Sequence, residues 1–304
     1  MIDRQWLERL QHFSRIAGRA GKVSFVAPPR EKLRGGASQT VGLRDYAPGD
    51  DYRYIDWVRC ARHDELFSRT FEPAEDLHVY ILLDCSPSMG LGSPAKFDLA
   101  RQVAAALGYA ALGDLARLSV AAFSDRIVAQ LPPIRHKTRI FRLLHFLQQL
   151  PLQGTRTDLK RTAEGFVGRY QRHGPVVVIS DLYDHHGFQP GLEVLRHRGY
   201  EPRLVQIHAP CEARPDLLGD LELFDVEART ARQTTVTERA LRRYQDLFAE
   251  FQQSVRSYCA KHGLACVQVA SDAPEEEVLW KVLGGGGQGW RRGLSGRGHP
   301  NAVQ

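Results

Sequence analysis

Two kinds of apolar periodicity alternate along the middle of the chain. Short, nearly continuous apolar runs at 79–83, 118–123, 175–180, 203–207 and 264–269 have the length expected of strands buried on both faces. Between them, apolar residues recur every three or four positions, as in Phe97, Ala100, Val103, Ala104, Leu107 and Ala111, and again over 139–150, 159–170 and 192–198. Ser93-Pro94 fits a helix N-cap followed by proline at the first helical position. Strands that alternate with helices predict an α/β fold: a doubly wound, mainly parallel sheet with helices on both faces.

The flanking patterns differ. Trp6, Leu7, Leu10, Phe13 and Ala17 lie at helical spacing and predict an amphipathic helix closed by Gly18 and Gly21. Residues 24–71 form short extended runs broken by Pro28-Pro29, Gly35-Gly36, Gly42 and Pro48-Gly49, which predicts a small β-rich unit ending near Asp76. Thr235-x-x-Glu238 has the form of a capping box. Leu241, Tyr244, Phe248, Phe251, Val255 and Tyr258 then continue a long helix to His262-Gly263. A further helix is expected at about 274–283, and residues 284–304, with eight glycines in twenty-one positions, read as a flexible tail. The resulting division is 1–22, 23–76, 77–283 and 284–304.

Composition narrows the class. The 304 residues are 43% hydrophobic and 25% charged, which excludes disordered and fibrous chains. The sequence has no apolar run long enough to span a bilayer and no secretion-signal pattern at its start, so a cytoplasmic protein is expected. The five cysteines form no Cys-x-x-Cys pair, as suits reduced thiols. The net charge of +6 sits at the ends: residues 1–40 carry eight Lys/Arg against three Asp/Glu, the last twenty-one carry three Arg and no acid, and the remainder sums to −2. That distribution argues against nucleic acid as a partner of the folded body.

The candidate chemistry lies just past two predicted strands. The run 79–83 delivers Asp84, and the following turn adds Ser86 and Ser88, giving Asp-x-Ser-x-Ser ahead of a helix. A carboxylate and two hydroxyls are hard oxygen donors suited to a magnesium or manganese ion, although the same residues also suit a helix cap. The strand 175–180 ends in Asp181, and Gly154-Thr155-Arg156-Thr157-Asp158 places threonine hydroxyls before another helix. With these segments the chain resembles a von Willebrand factor type A domain carrying a metal-ion-dependent adhesion site. The resemblance implies that Asp84, Ser86, Ser88, Thr157 and Asp181 surround one divalent ion, Mg2+ or else Mn2+ or Ca2+, with Thr155 ranked second to Thr157.

A second resemblance covers the preceding unit. Tyr46-x-Pro48-Gly49-Asp50-Asp51-x-Arg53-x-Ile55-Asp56-Trp57, then Ala61-Arg62, is similar to the signature of the bacterial domain-of-unknown-function 58 family, which includes YeaD-like proteins. Asp50, Asp51, Arg53, Asp56 and Arg62 read most simply as an ion-pair network. The resemblance implies a cytoplasmic, metal-dependent protein-interaction adaptor, not an enzyme, whose partner is a MoxR-type AAA+ ATPase and the client proteins it remodels. Two alternatives stand beside it: a divalent-metal hydrolase using Asp84, Asp181 and His185, and a metal-independent scaffold acting through the N-terminal helix. The sequence contains neither a phosphate-binding Gly-x-x-x-x-Gly-Lys loop nor a Gly-x-Ser-x-Gly elbow. Asp184-His185-His186 is expected to be a solvated loop.

Overall fold

A computed structural model describes residues 40–45, 60, 66–71, 77–225, 227 and 230–283. Residues 28–77 separate from the rest as a unit of their own. Its described part is an antiparallel pair, β1 (Thr40–Asp45) and β2 (Phe67–Phe71), with Leu43 opposite Arg69 and Asp45 opposite Phe67. The predicted N-terminal helix, the Tyr46–Trp57 signature with its charged residues, and the glycine-rich tail lie outside the described residues.

The larger unit is built on six strands: β3 (His78–Asp84), β4 (Arg117–Phe123), β5 (Ile127–Ile134), β6 (Pro175–Ser180), β7 (Glu201–His208) and β10 (Ala265–Ala270). They are ordered β10-β7-β6-β3-β4-β5, all parallel except β5, which runs antiparallel to β4. The unbroken apolar runs follow from this, because a parallel strand covered on both faces has no side facing water. One face packs against α3 (Leu159–Arg169), α4 (Gln189–His197) and α6 (Glu238–His262), and Tyr80, Leu82, Phe166, Val178, Leu204 and Val255 share that core. The other carries α1 (Lys96–Gly113), α2 (Ile140–Gln149) and α7 (Glu275–Leu283).

At the foot of β3 an aromatic cluster fastens one face. Tyr80 meets Phe166, Tyr170 and Tyr200 edge to face at 5.1 to 5.9 Å, and its hydroxyl donates to the Arg172 carbonyl at 2.8 Å. Burial pushes the Tyr80 phenol up to about 12.

Four local features depart from the sequence reading. Pro94 does not open α1: it sits in a turn closed by Lys96 N–H on the Leu91 carbonyl at 3.1 Å, while its own carbonyl accepts from Ser271. The cap of α6 is Thr237, whose hydroxyl accepts from Ala240 N–H at 3.2 Å, and Thr235 belongs to a strand where its hydroxyl donates to Asp220. That strand is β9 (Thr230–Val236), which forms an antiparallel hairpin with β8 (Gly219–Asp225); a mixed polar pattern hid both. Paired prolines, Pro132-Pro133, likewise disguised β5, where an edge position tolerates them.

The close approach of α4 to α3 supplies a stability test. A Cβ on Gly191 of α4 would lie 2.6 Å from Leu159 Cγ and 2.8 Å from its backbone carbon, whereas one on Gly165 of α3 would meet nothing within 4 Å. Gly191→Ala is therefore expected to lose about 2 kcal/mol in chemical denaturation. Gly165→Ala should gain about 0.5–1 kcal/mol through helix propensity. Equal effects of the two would refute this packing.

Candidate metal centre

The order of the strands creates the site. From β3 the chain crosses to β4 on one side, and it later returns to place β6 on the other, so the winding direction reverses between β3 and β6. Doubly wound sheets hold ligands at such a reversal, beyond the carboxyl ends of the strands. Asp84 is the last residue of β3, and Asp181 directly follows β6.

Around Asp84 the polar atoms are ordered and dry. Its carboxylate is fully buried, accepting Ser86 N–H on Oδ1 at 2.9 Å and the Ser180 hydroxyl on Oδ2 at 2.6 Å. Ser86 and Ser88 open a short 3-10 turn, Pro87–Gly90, that brings their buried hydroxyl oxygens to 3.0 Å. The third loop is sewn in from both ends: Gln153 N–H donates to the Cys85 carbonyl at 2.8 Å, and Asp158 N–H to the Ser124 carbonyl at 3.0 Å. Gly154 runs so close to Ser124, at φ +96°, that a Cβ would fall 2.2 Å from the Ser124 hydroxyl. Within that loop Thr157 is buried with its Oγ1 unpaired by any hydrogen bond, while Thr155 is exposed. A hydroxyl left without a partner in a dry site is costly, and a bound cation would satisfy it.

Burial and the nearby Asp181 push the Asp84 carboxyl up to about 7, against hydrogen bonds from Ser180 and Ser86 that favour its ionised form. Asp181 is held otherwise. Its Oδ1 accepts Tyr183 N–H at 3.1 Å, and its Oδ2 takes the Lys96 ammonium at 2.7 Å. Lys96 is fully buried and also reaches Glu212 Oε1 at 2.5 Å. Burial alone would lower its proton affinity, but Asp181 and Glu212 outweigh that and hold it above the usual lysine value. Glu212, in the short helix α5 (Pro210–Ala213), uses Oε2 to accept Ala209 N–H at 2.7 Å.

Sequence reasoning missed Lys96, Glu212 and Ser180. Lys96 looks like an ordinary first-turn lysine, and only the approach of β6 and β7 turns it inward. The Asp184 triplet serves the fold. Asp184 Oδ2 caps α3 by accepting Leu159 N–H at 2.8 Å, its Oδ1 accepts His186 N–H, and both histidines are exposed. Among the described residues no three His, Cys, Asp or Glu side chains gather as a metal site. The candidate donors are two carboxylates and three hydroxyls, a hard-oxygen set whose buried Asp84 and unpaired Thr157 fit a divalent cation.

Two measurements follow. Lys96→Met strands two buried carboxylates and should cost about 3–5 kcal/mol in denaturant titrations, partly recovered by adding Glu212→Gln. Wild-type stability in the single variant would mean that the ammonium neutralises neither acid. The raised affinity of Asp84 means that its protonated form favours the fold, so that contribution is present below about pH 4 and lost as pH rises through about 7. In chelator at about pH 8, Asp84→Asn should melt above the wild type, with the gap closing towards about pH 4. A gap independent of pH would contradict the burial argument.

The family described as Protein of unknown function DUF58 matches residues 42–257. An uncharacterized protein of Mycobacterium tuberculosis, and likewise one of Mycobacterium bovis, is 27% identical over 209 residues, 67% of this chain and 65% of the relative. The chain thus spans 65% of the length of these curated relatives. YeaD of Bacillus subtilis is 33% identical over 48 residues, 16% of this chain and 12% of YeaD. Among solved structures, the conserved hypothetical protein BatB from Bacteroides thetaiotaomicron is 14% identical with a TM-score of 0.40, covering 68% of this chain and 96% of BatB. Proximal thread matrix protein 1 of the mussel byssus, solved with a zinc-occupied MIDAS motif, is 18% identical with a TM-score of 0.34, covering 43% of this chain and 38% of its own. By the extent of the family match, the chain belongs to the DUF58 family.

Proposed function

We propose that the protein is a metal-dependent protein-interaction adaptor, with Asp84, Ser86, Ser88, Thr157 and Asp181 as its metal centre. The observation that carries this reading is the unpaired, buried Thr157 hydroxyl in a loop sewn to Ser124 and to Cys85, the residue that follows the fully buried Asp84. A divalent ion, Mg2+ or alternatively Mn2+ or Ca2+, would supply a coordination position for an Asp or Glu carboxylate of a partner. The residues of the chain do the rest. Asp84 and the two serine hydroxyls form a ring of donors fixed by Ser180 and by the 3-10 turn. Lys96 holds one oxygen of Asp181, so this carboxylate keeps its orientation with or without an ion.

The buried serine hydroxyls here serve as hydrogen-bond partners of Asp84 and of one another, which favours recognition over hydrolysis. Following the family resemblance, the partner is a MoxR-type AAA+ ATPase with its client proteins, and the location is the cytoplasm. Among the described residues no helix is long and apolar enough to cross a membrane.

The test is Mn2+ titration by calorimetry joined to affinity capture from host lysate in Mg2+ or in EDTA. Wild type should bind Mn2+ and retain an AAA+ ATPase only in Mg2+, while Asp84→Ala, folded as judged by circular dichroism, should do neither. Retention of the ATPase by both proteins in both buffers would refute the metal bridge.

A further inference from the structure

The folded body is polarised in charge, which the summed charge of −2 over residues 41–283 conceals. The parallel strands begin nearly level: His78 is opposite Arg117, Tyr80 opposite Val176, Pro175 opposite Glu201 and Ala265 opposite Arg203. Helices that return antiparallel to the strands end along this same starting edge. Exposed there are Lys137, Arg139, Arg142, Arg172, Arg198 and Lys261, and none of the six has an ion pair among the described residues. The described acids at this edge are Asp114 and Glu201. The opposite edge, which holds the candidate metal site, carries Asp125, Asp158, Asp184, Glu212, Asp272 and Glu275 interleaved with Arg126, Arg156, Lys160 and Arg161, and both Arg126 and Arg161 approach Asp125 at 3.9 Å.

Part of this basicity has a local cause. Arg198 and Lys261 lie at the ends of α4 and α6, where the helix dipole favours cations. Arg139 and Arg142 have the reverse setting. They occupy the N-terminus of α2, whose first turn has no acid and whose cap makes no side-chain hydrogen bond, so the dipole opposes them. They belong to a stretch, 127–155, whose four Lys/Arg all fall between 135 and 142 and which has no Asp/Glu. Between them Phe141 projects, 67% exposed, and Leu115 on the same rim is 52% exposed.

We propose that this starting edge docks on an anionic lipid bilayer. A level row of cations across the sheet matches a charged plane, and apolar side chains flanked by arginine insert favourably at the headgroup boundary. Nucleic acid would use the cations but gives Leu115 no apolar environment, which favours the bilayer. The docking leaves the edge with the candidate metal site facing away from the lipid.

The full chain is tested in EDTA by co-sedimentation with phosphatidylcholine vesicles, alone or with about one third phosphatidylglycerol. The protein should pellet only with the anionic vesicles and be released by high salt. Arg139→Glu/Arg142→Glu should weaken binding at least about tenfold, and Phe141→Ser about threefold. Arg242→Glu/Arg243→Glu, an equal charge change near the N-terminus of α6, should leave it unaltered. Undiminished pelleting of the Arg139/Arg142 variant, with the basic terminal segments carrying the binding, overturns the proposal. So does equal loss in the Arg242/Arg243 control, no pelleting of the wild type, or tighter binding to a duplex DNA probe than to anionic vesicles.

Discussion

The buried ammonium of Lys96 is the contact on which the arrangement of the candidate site depends. It starts α1, directly after the loop carrying Ser86 and Ser88, and it binds the carboxylates that follow β6 and β7. Three loops from three strands therefore converge on one charge. In a dry interior the attraction is strong only when every lone pair is answered, and here Asp181 and Glu212 each use their second oxygen on a backbone N–H. The ion-pair network is thus tied into the main chain on both sides, so the loops hold their relative positions without help from a ligand.

Asp84 is treated in the opposite way. It lies on the adjoining strand with hydrogen bonds but, among the described residues, no cationic partner of its own, and Asp181 adds repulsion. One carboxylate is neutralised from within while the other keeps an unmet demand for positive charge. The Thr157 hydroxyl shares that demand. Stability is concentrated at Asp181 and withheld at Asp84, so the surrounding scaffold holds the Asp84 carboxylate in an environment that does not favour its charge.

The parallel core was legible in the sequence because strands buried on both faces must be apolar throughout, and 79–83 and 175–180 are. The candidate donors could be named from the sequence as well: Asp84 and Asp181 each sit one step past such a run, Ser86 and Ser88 follow in the next turn, and Thr157 lies in a glycine turn. Lys96 and Glu212 were not legible, because burial of a charge is decided by which loops meet, and sheet order is not written in local periodicity. The hairpin of β8 and β9 escaped for the converse reason: its strands are mostly exposed, so no face is required to be apolar. Charge polarity was hidden by summation, being a property of which ends of the elements come together.

Pro132 and Pro133 in β5 have a wider consequence. An outermost strand ordinarily presents free N–H groups to any extended segment that comes near, and proline has none to present. The sheet is therefore blunt along its β5 side, protected against growth by strand addition and against the fibrillar association that begins that way. Traffic with other molecules is turned away from this flank and towards the two ends of the strands, where loops and helix termini differ in charge.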